Sequence, residues 1–404
     1  MKKFLCSTCL FVLMLHATHL ASQEHVDVLF VLPDDVVSEL GSEAAAITRA
    51  GQYVSYANVR YDDTGKNVAL RMIGTIAVDA DFTNKSTLSQ LNDYSSLQIV
   101  QDKRRAYGAD IISILTTDSS DSARGWADVP IKEDYDSASD QQQYLYDKTY
   151  NITIIDTNSF KDFDARVYTH ETAHNFGCGH INLEGWDWFS YAATIFGEDS
   201  CPETGHYQNV WHGPTIMDAY DEGSPHPTVS CFWPVDSFSD PNRTYYLNDQ
   251  QYGLIYDDEP LGESGRDHAR TIGETKSLIA GILDPFTFFD SQVDADEWRY
   301  YSWWGWFNLD GYTLSQSGQL LPWVWHQHHG WIYTTGDDVS EFFFWDDELG
   351  AWWGTSSSLY PVFWNYDLEE WCEYDVGTTD PRWFDCGAGW YPVPMNEAQT
   401  PPPS

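Results

Sequence analysis

His170-Glu171-Thr172-Ala173-His174-Asn175-Phe176-Gly177-Cys178-Gly179-His180 is the stretch that decides the fold. His170 and His174 are four residues apart, so on a helix they stack on one face, with Glu171 beside them. Gly177 can end that helix in the left-handed conformation and turn the chain back, which brings His180 to the same point. Three imidazoles converging on one centre leave a fourth tetrahedral position free, the layout of a catalytic rather than a structural zinc site. A metal held in this way lowers the pKa of a water molecule from 15.7 to about 7 and polarises a carbonyl oxygen. Glu171 is placed to take that water's proton and pass it to a leaving amine, which points to hydrolysis of an amide, most simply a peptide bond. The competing reading, a histidine-rich helix packed in a core, requires three histidines and a glutamate buried at a cost and to no purpose.

The pattern H-E-x-x-H-x-x-G-x-x-H followed by a methionine turn resembles the metzincin zinc peptidases. The turn candidate is Thr215-Ile216-Met217-Asp218-Ala219-Tyr220, and the resemblance implies that Met217 packs beneath the zinc ligands. Within the metzincins the chain most resembles the reprolysin (adamalysin) branch, especially its secreted microbial members, from Val26 to Leu283. The flanking segments that carry this are the strand Val26–Val31, an alanine-rich helical stretch near Ser42–Asn58, the strand Val68–Val78, the run Arg105–Leu115, Phe238-Ser239-Asp240-Pro241 and a closing helix around Asp267–Ile282.

The resemblance implies an α/β catalytic domain, a twisted mixed sheet with helices, in a secreted endopeptidase acting on proteins or peptides. One catalytic Zn2+ would be bound by His170, His174 and His180, with Glu171 as the catalytic residue. Gly125-Trp126-Ala127 stands where reprolysins have their substrate-binding edge strand, inside a Ser-, Asp- and Gln-rich stretch, Asp118–Gln143, read as a loop insertion. Substrate would add there as a further strand. Two departures stand out. Ile181 occupies the place where reprolysins usually carry Asp, and Tyr220 follows Met217 by three residues rather than two, so Tyr220 is given no metal role.

The first 22 residues pair Lys2 and Lys3 with an apolar run from Phe4 to Leu15 and end in small residues to Ser22, the pattern of a secretory signal peptide. That run is too short for the roughly 20 residues a membrane span needs. With Lys+Arg 21 and Asp+Glu 62 the formal charge is −41, which repels nucleic acid and suits solubility at high ionic strength. The acidity is also compatible with bound Ca2+, though no calcium motif is evident. Outside the cytoplasm cysteines pair. The resemblance implies Cys201–Cys231, bracketing the methionine turn, while Cys372 and Cys386 make a second pair in the C-terminal region. Cys178, the odd one, reads as a small buried filler in preference to a zinc-site thiol.

Beyond Leu283 the composition changes. Fourteen of the 19 tryptophans fall between Trp298 and Trp390, with Trp306, Trp325, Trp345, Trp364 and Trp383 recurring every 19 or 20 residues. Trp331, Trp352, Trp371 and Trp390 follow six or seven residues behind the last four. Two short aromatic segments around a polar turn make each unit a β-hairpin that must stack on its neighbours. The units resemble the aromatic hairpin repeats of choline- and glucan-binding surface proteins, which implies a cell-surface or polysaccharide ligand. Core packing is the first reading for most of these aromatics, and His326, His328 and His329 read as solvated turn residues. The organisation expected is a signal peptide (1–22), a peptidase domain (23–283), a linker (284–302), a small all-β repeat domain (303–392) and a tail (393–404). The rival reading is a non-enzymatic extracellular surface- or carbohydrate-binding protein on a vestigial metallopeptidase scaffold; Glu171, in register with the histidines, argues against it.

Overall fold

The computed structural model describes residues 23–180, 237–242 and 267–393, with 285, 287, 290, 316, 318, 336–341, 379–380 and 388 excepted. It also describes the backbone of four strands in two hairpins, at 194–200 with 207–214 and 244–249 with 254–260. The signal-peptide candidate, Met217, Cys201 and Cys231 lie outside the described residues.

The N-terminal half is built on a five-stranded sheet. Strands β1 (Glu24–Pro33), β2 (Val68–Val78), β3 (Ile111–Thr116) and β5 (Tyr150–Ile154) run parallel. The short β4 (Gly125–Ala127) closes the edge antiparallel to β5, giving the order β2-β1-β3-β5-β4. The central strands are buried on both faces, which is why β1 from Val26 onward reads as an apolar run broken only by Asp27. Asp27 is not left bare inside: Arg71 donates to its carboxylate at 2.6 Å.

Helix α1 (Asp34–Leu40) leads from β1 into α2 (Glu43–Asp63), which Ser42 caps by accepting from the Ala45 N–H. On the other side of the sheet lie α3 (Thr87–Ser95) and α4 (Gln98–Tyr107). The stretch read as a loop insertion is more ordered than that. It contains β4, α5 (Lys132–Ser137) and the start of α6 (Gln141–Lys148). The zinc-motif helix α7 (Asp162–Asn175) and the closing helix α8 (His268–Ile279) join α2 over one sheet face, in a core formed by Phe30, Tyr53, Tyr61, Tyr168 and Phe176 among others. Among the described residues no helix is long and apolar enough to cross a membrane.

The hairpins Thr194–Ser200/Tyr207–Pro214 (β6, β7) and Thr244–Asp249/Leu254–Pro260 (β8, β9) follow α7. The C-terminal part is an antiparallel, all-β sheet of 12 strands, β10–β21, from Gln292 to Val393. Its side chains alternate. One face buries Phe307, Val324, Ile332, Phe344, Trp353, Phe363 and Phe384, and these continue without a break into the second face of the five-stranded sheet through Leu29, Val31, Ile112 and Ile114.

The segment 284–302 therefore does not behave as the linker expected from sequence. It carries β10 (Gln292–Val293) and β11 (Trp298–Tyr301) and buries Phe286 and Phe288 between the two sheets. Phe286 stacks on Tyr107 at 4.7 Å, Arg71 lies 3.7 Å over the Phe289 ring, Lys103 pairs with Glu297 at 3.1 Å, and Arg299 donates to the Ile73 carbonyl.

The periodic tryptophans belong mostly to the opposite face. Cross-strand pairs Trp325–Trp331, Trp345–Trp352 and Trp364–Trp371 meet edge to face at 5.6, 6.0 and 5.3 Å. Only Trp331 of these is buried, while Trp371, Trp383 and Trp390 are exposed. The histidines correct the sequence reading in the other direction: His326 and His329 are buried, not solvated. Cys372 and Cys386 are joined by a disulfide, and Cys178 is a free thiol inside the core, where burial pushes its pKa well up.

Candidate metal centre

Helix α7 starts with Asp162 and Asp164 in its first turn, acids that favour the positive end of the helix dipole. It ends at Phe176 because Gly177 takes a φ of 85°. The Cys178 N–H then reaches the Ala173 carbonyl at 3.1 Å and the Gly177 N–H reaches that of His174 at 2.7 Å. This pair of closing bonds is the Schellman pattern, and it reverses the chain within three residues. The reversal sets His180 opposite His170 and His174.

The three Nε2 atoms converge. They lie 3.1 Å apart between His170 and His174, 3.1 Å between His174 and His180, and 2.8 Å between His170 and His180. Tetrahedral zinc with Zn–N bonds of about 2.0–2.1 Å sets its ligand nitrogens about 3.3 Å apart, so a small outward movement of the rings, by a few tenths of an ångström, separates this geometry from a bound one. His174 Nδ1 donates to the Cys178 carbonyl at 2.7 Å, and since a carbonyl only accepts, the tautomer leaves Nε2 with its lone pair toward the centre. Burial, followed by the facing His170 and His180 rings, holds the His174 pKa well below the ordinary value, and burial lowers that of His180. Neutral imidazole is the ligating form. Among the described residues this is the one cluster of His, Cys, Asp or Glu with ligand atoms close enough to hold a metal ion, and its all-nitrogen donor set fits zinc.

Glu171 lies on the same helix, 5% exposed, and burial raises its carboxyl pKa well above the usual range. Its Oε2 has no hydrogen-bond partner among the described residues. Gly125, Trp126 and Ala127 form β4, paired to Thr153, Ile152 and Asn151, and Gly125 passes directly over the Glu171 side chain. Trp126 is 43% exposed beside it. The structure thus brings together Gly125, Glu171 and the three histidines.

Two supporting residues were not found from sequence. Asn175 donates to the Asp128 and Tyr150 carbonyls, both at 3.0 Å, and accepts from Asn151 at 2.8 Å, tying the end of α7 to the edge of the sheet. His268, fully buried at the start of α8, donates from Nε2 to the Gly179 carbonyl at 3.1 Å and takes a hydrogen bond from Ser239 Oγ at Nδ1, 2.8 Å. It fixes the peptide immediately before His180. The sequence hint for Asn175 was a short amide in the last turn of a helix, where it is a poor helix former; for His268 there was none.

Residues 47–181 match the family model described as metallo-peptidase family M12B, reprolysin-like. A peptidyl-Asp metalloendopeptidase of Pseudomonas aeruginosa is 27% identical over 185 residues, 44% of this chain. The match spans 29% of that protein's length. A solved structure titled as a chaperone–substrate complex overlaps 65% of this chain and 35% of its own, with a TM-score of 0.43 and 19% identity.

Proposed function

We propose that the chain is a zinc-dependent endopeptidase, a reading supported by the match of residues 47–181 to the reprolysin-like metallopeptidase model. The observation that carries this is the convergence of three Nε2 atoms to within 3.1 Å beside a buried glutamate. His170, His174 and His180 hold the metal. When bound, zinc supplies a Lewis-acid charge that polarises the scissile carbonyl and makes water a stronger acid. Glu171 takes the proton of the attacking water and delivers it to the nitrogen of the leaving amine. Its burial suits the second half of that task, because a desolvated carboxylate holds a proton readily. The Nδ1–H of His174, anchored on Cys178, keeps that ring oriented through the cycle. Substrate adds as a further strand along β4, with main-chain bonds to Gly125–Ala127.

The test is hydrolysis of a mixed peptide library by the purified protein, beside Glu171→Ala and a chelated sample. The library includes Asp-containing bonds of the kind in the Pseudomonas relative's name. Cleavage lost in both controls supports the reading, whereas a zinc-loaded protein that cuts nothing, or a Glu171→Ala variant that cuts normally, overturns it.

We also propose export through the N-terminal segment, checked by sequencing the N-terminus of the protein recovered outside cells. The outward row of tryptophan pairs is proposed to meet a cell-surface polysaccharide, since flat, half-exposed indoles in register offer stacking surfaces. Retention on an insoluble glucan that is lost in Trp371→Ala/Trp383→Ala/Trp390→Ala supports this.

A further inference from the structure

Gly125 is not needed for its backbone conformation. It sits in an extended edge strand, outside the residues with positive φ. What singles it out is space. A Cβ built on Gly125 would stand 2.7 Å from Cγ and 2.8 Å from Cδ of Glu171, and closer still to Oε1. Carbon atoms in folded proteins settle near 3.5–4.0 Å, so a methyl group does not fit there.

Neither backbone is free to give way. Glu171 projects from the C-terminal part of α7, and that helix is pinned by Asn175 to the Asp128 and Tyr150 carbonyls and by Thr172, which accepts from Tyr61 at 3.1 Å. The strand is held by its pairing with β5, by the Ile154 N–H donating to the Arg124 carbonyl at 2.9 Å, and by Arg124 bound to Asp164 of α7 at 3.1 Å. Strand and helix are thus clamped at a separation that only a residue without a side chain allows.

We propose that Gly125 is a positioning residue: its bare backbone is the wall against which the Glu171 carboxylate rests, so it fixes the place of the proton-transferring group. This rests on the reading of Glu171 given above. It differs from a role in gripping substrate, which would act on binding alone. An added methyl would swing Glu171 away or lift β4, and displacement of a reacting group by about 1 Å can cost about a hundredfold in rate.

The experiment is a double-mutant cycle of wild type, Gly125→Ala, Glu171→Ala and the double variant, with two readouts. In the zinc-loaded protein, Gly125→Ala is expected to keep one zinc per chain and KM within about threefold while kcat falls about a hundredfold. In the metal-free protein, Gly125→Ala is expected to lower Tm by several degrees, and by less than about one degree when Glu171 is already Ala. Should Gly125→Ala fail to fold, recovery of folding in the double variant supports the contact, and failure there too overturns it. An unchanged kcat, a rise in KM alone, or equal Tm losses in both backgrounds also overturns it. If the wild type cuts no peptide, the endopeptidase reading fails, yet the metal-free cycle still decides the contact.

Discussion

The buried ring of His329 makes a quantitative prediction about acid. It lies 1% exposed among Phe344, Tyr360, Phe363, Tyr374 and Phe384, with centroid distances of 4.9–6.4 Å, and neither ring nitrogen has a hydrogen-bond partner among the described residues. Burial, and then the nearby His326, Arg382 and His328, holds its pKa well below 6.5. The carboxylates close by, Asp346 and Glu348, are engaged by Arg382 at 2.5 and 3.4 Å, and the hydroxyls of Tyr360 and Tyr374 are neutral, so nothing compensates an imidazolium there. A histidine whose folded pKa is depressed is neutral in both states above 6.5. Below that value the unfolded chain binds a proton the folded one refuses, and stability falls with pH until the folded pKa is reached. At pH 5.5 the loss for this one residue is on the order of 1 kcal/mol. His329→Phe keeps the ring and removes the proton site. Its effect on packing is the same at every pH, and carboxylates such as Asp27 titrate alike in both proteins. Urea unfolding at pH 8.0 and 5.5 should therefore give a variant-minus-wild-type difference that grows in the variant's favour on acidification, on the order of 1 kcal/mol. A difference that stays constant within about 0.4 kcal/mol would show that His329 is hydrated or charged in the fold, and would refute the reasoning.

Removing the support under His180 should loosen the metal: His268→Leu leaves the Gly179 carbonyl unpaired and is expected to weaken zinc about tenfold in a chelator competition. Affinity equal to wild type would mean that the loop is fixed without it. A chain ending at residue 283 should not yield a folded monomer, since it uncovers the sheet face and the Tyr107 ring that Phe286 and Arg299 cover. A soluble 23–283 fragment with cooperative unfolding would count against the shared core.

The metal site was legible because its geometry is local. Four-residue spacing, the Gly177 reversal and the return of His180 are all set within eleven residues, and helix periodicity translates them directly into space. The hairpins were legible for the same reason. What faces where in the repeats was not, because both sets of alternating positions are apolar: Trp325, Trp345 and Trp364 on one side, Val324, Phe344 and Phe363 on the other. A period of two cannot say which set is inside when neither is polar. Once Val324 is known to face inward, His326 must follow it, two residues along the same strand. His268 was invisible because its partner Gly179 lies 89 residues away.

The misread linker carries the larger lesson about this molecule. A parallel sheet needs cover on both faces, and α3 and α4 alone are two short helices, of 9 and 10 residues, over one of them. Phe286, Phe288 and the strands that follow supply the rest of that cover, and Tyr107 joins the two parts by stacking on Phe286 and donating to Glu297. The same strands β1, β3 and β5 therefore carry the zinc helix on one face and the repeat sheet on the other. The repeat sheet covers the five-stranded sheet from behind, so its outward tryptophans are held in a fixed relation to α7 and Glu171.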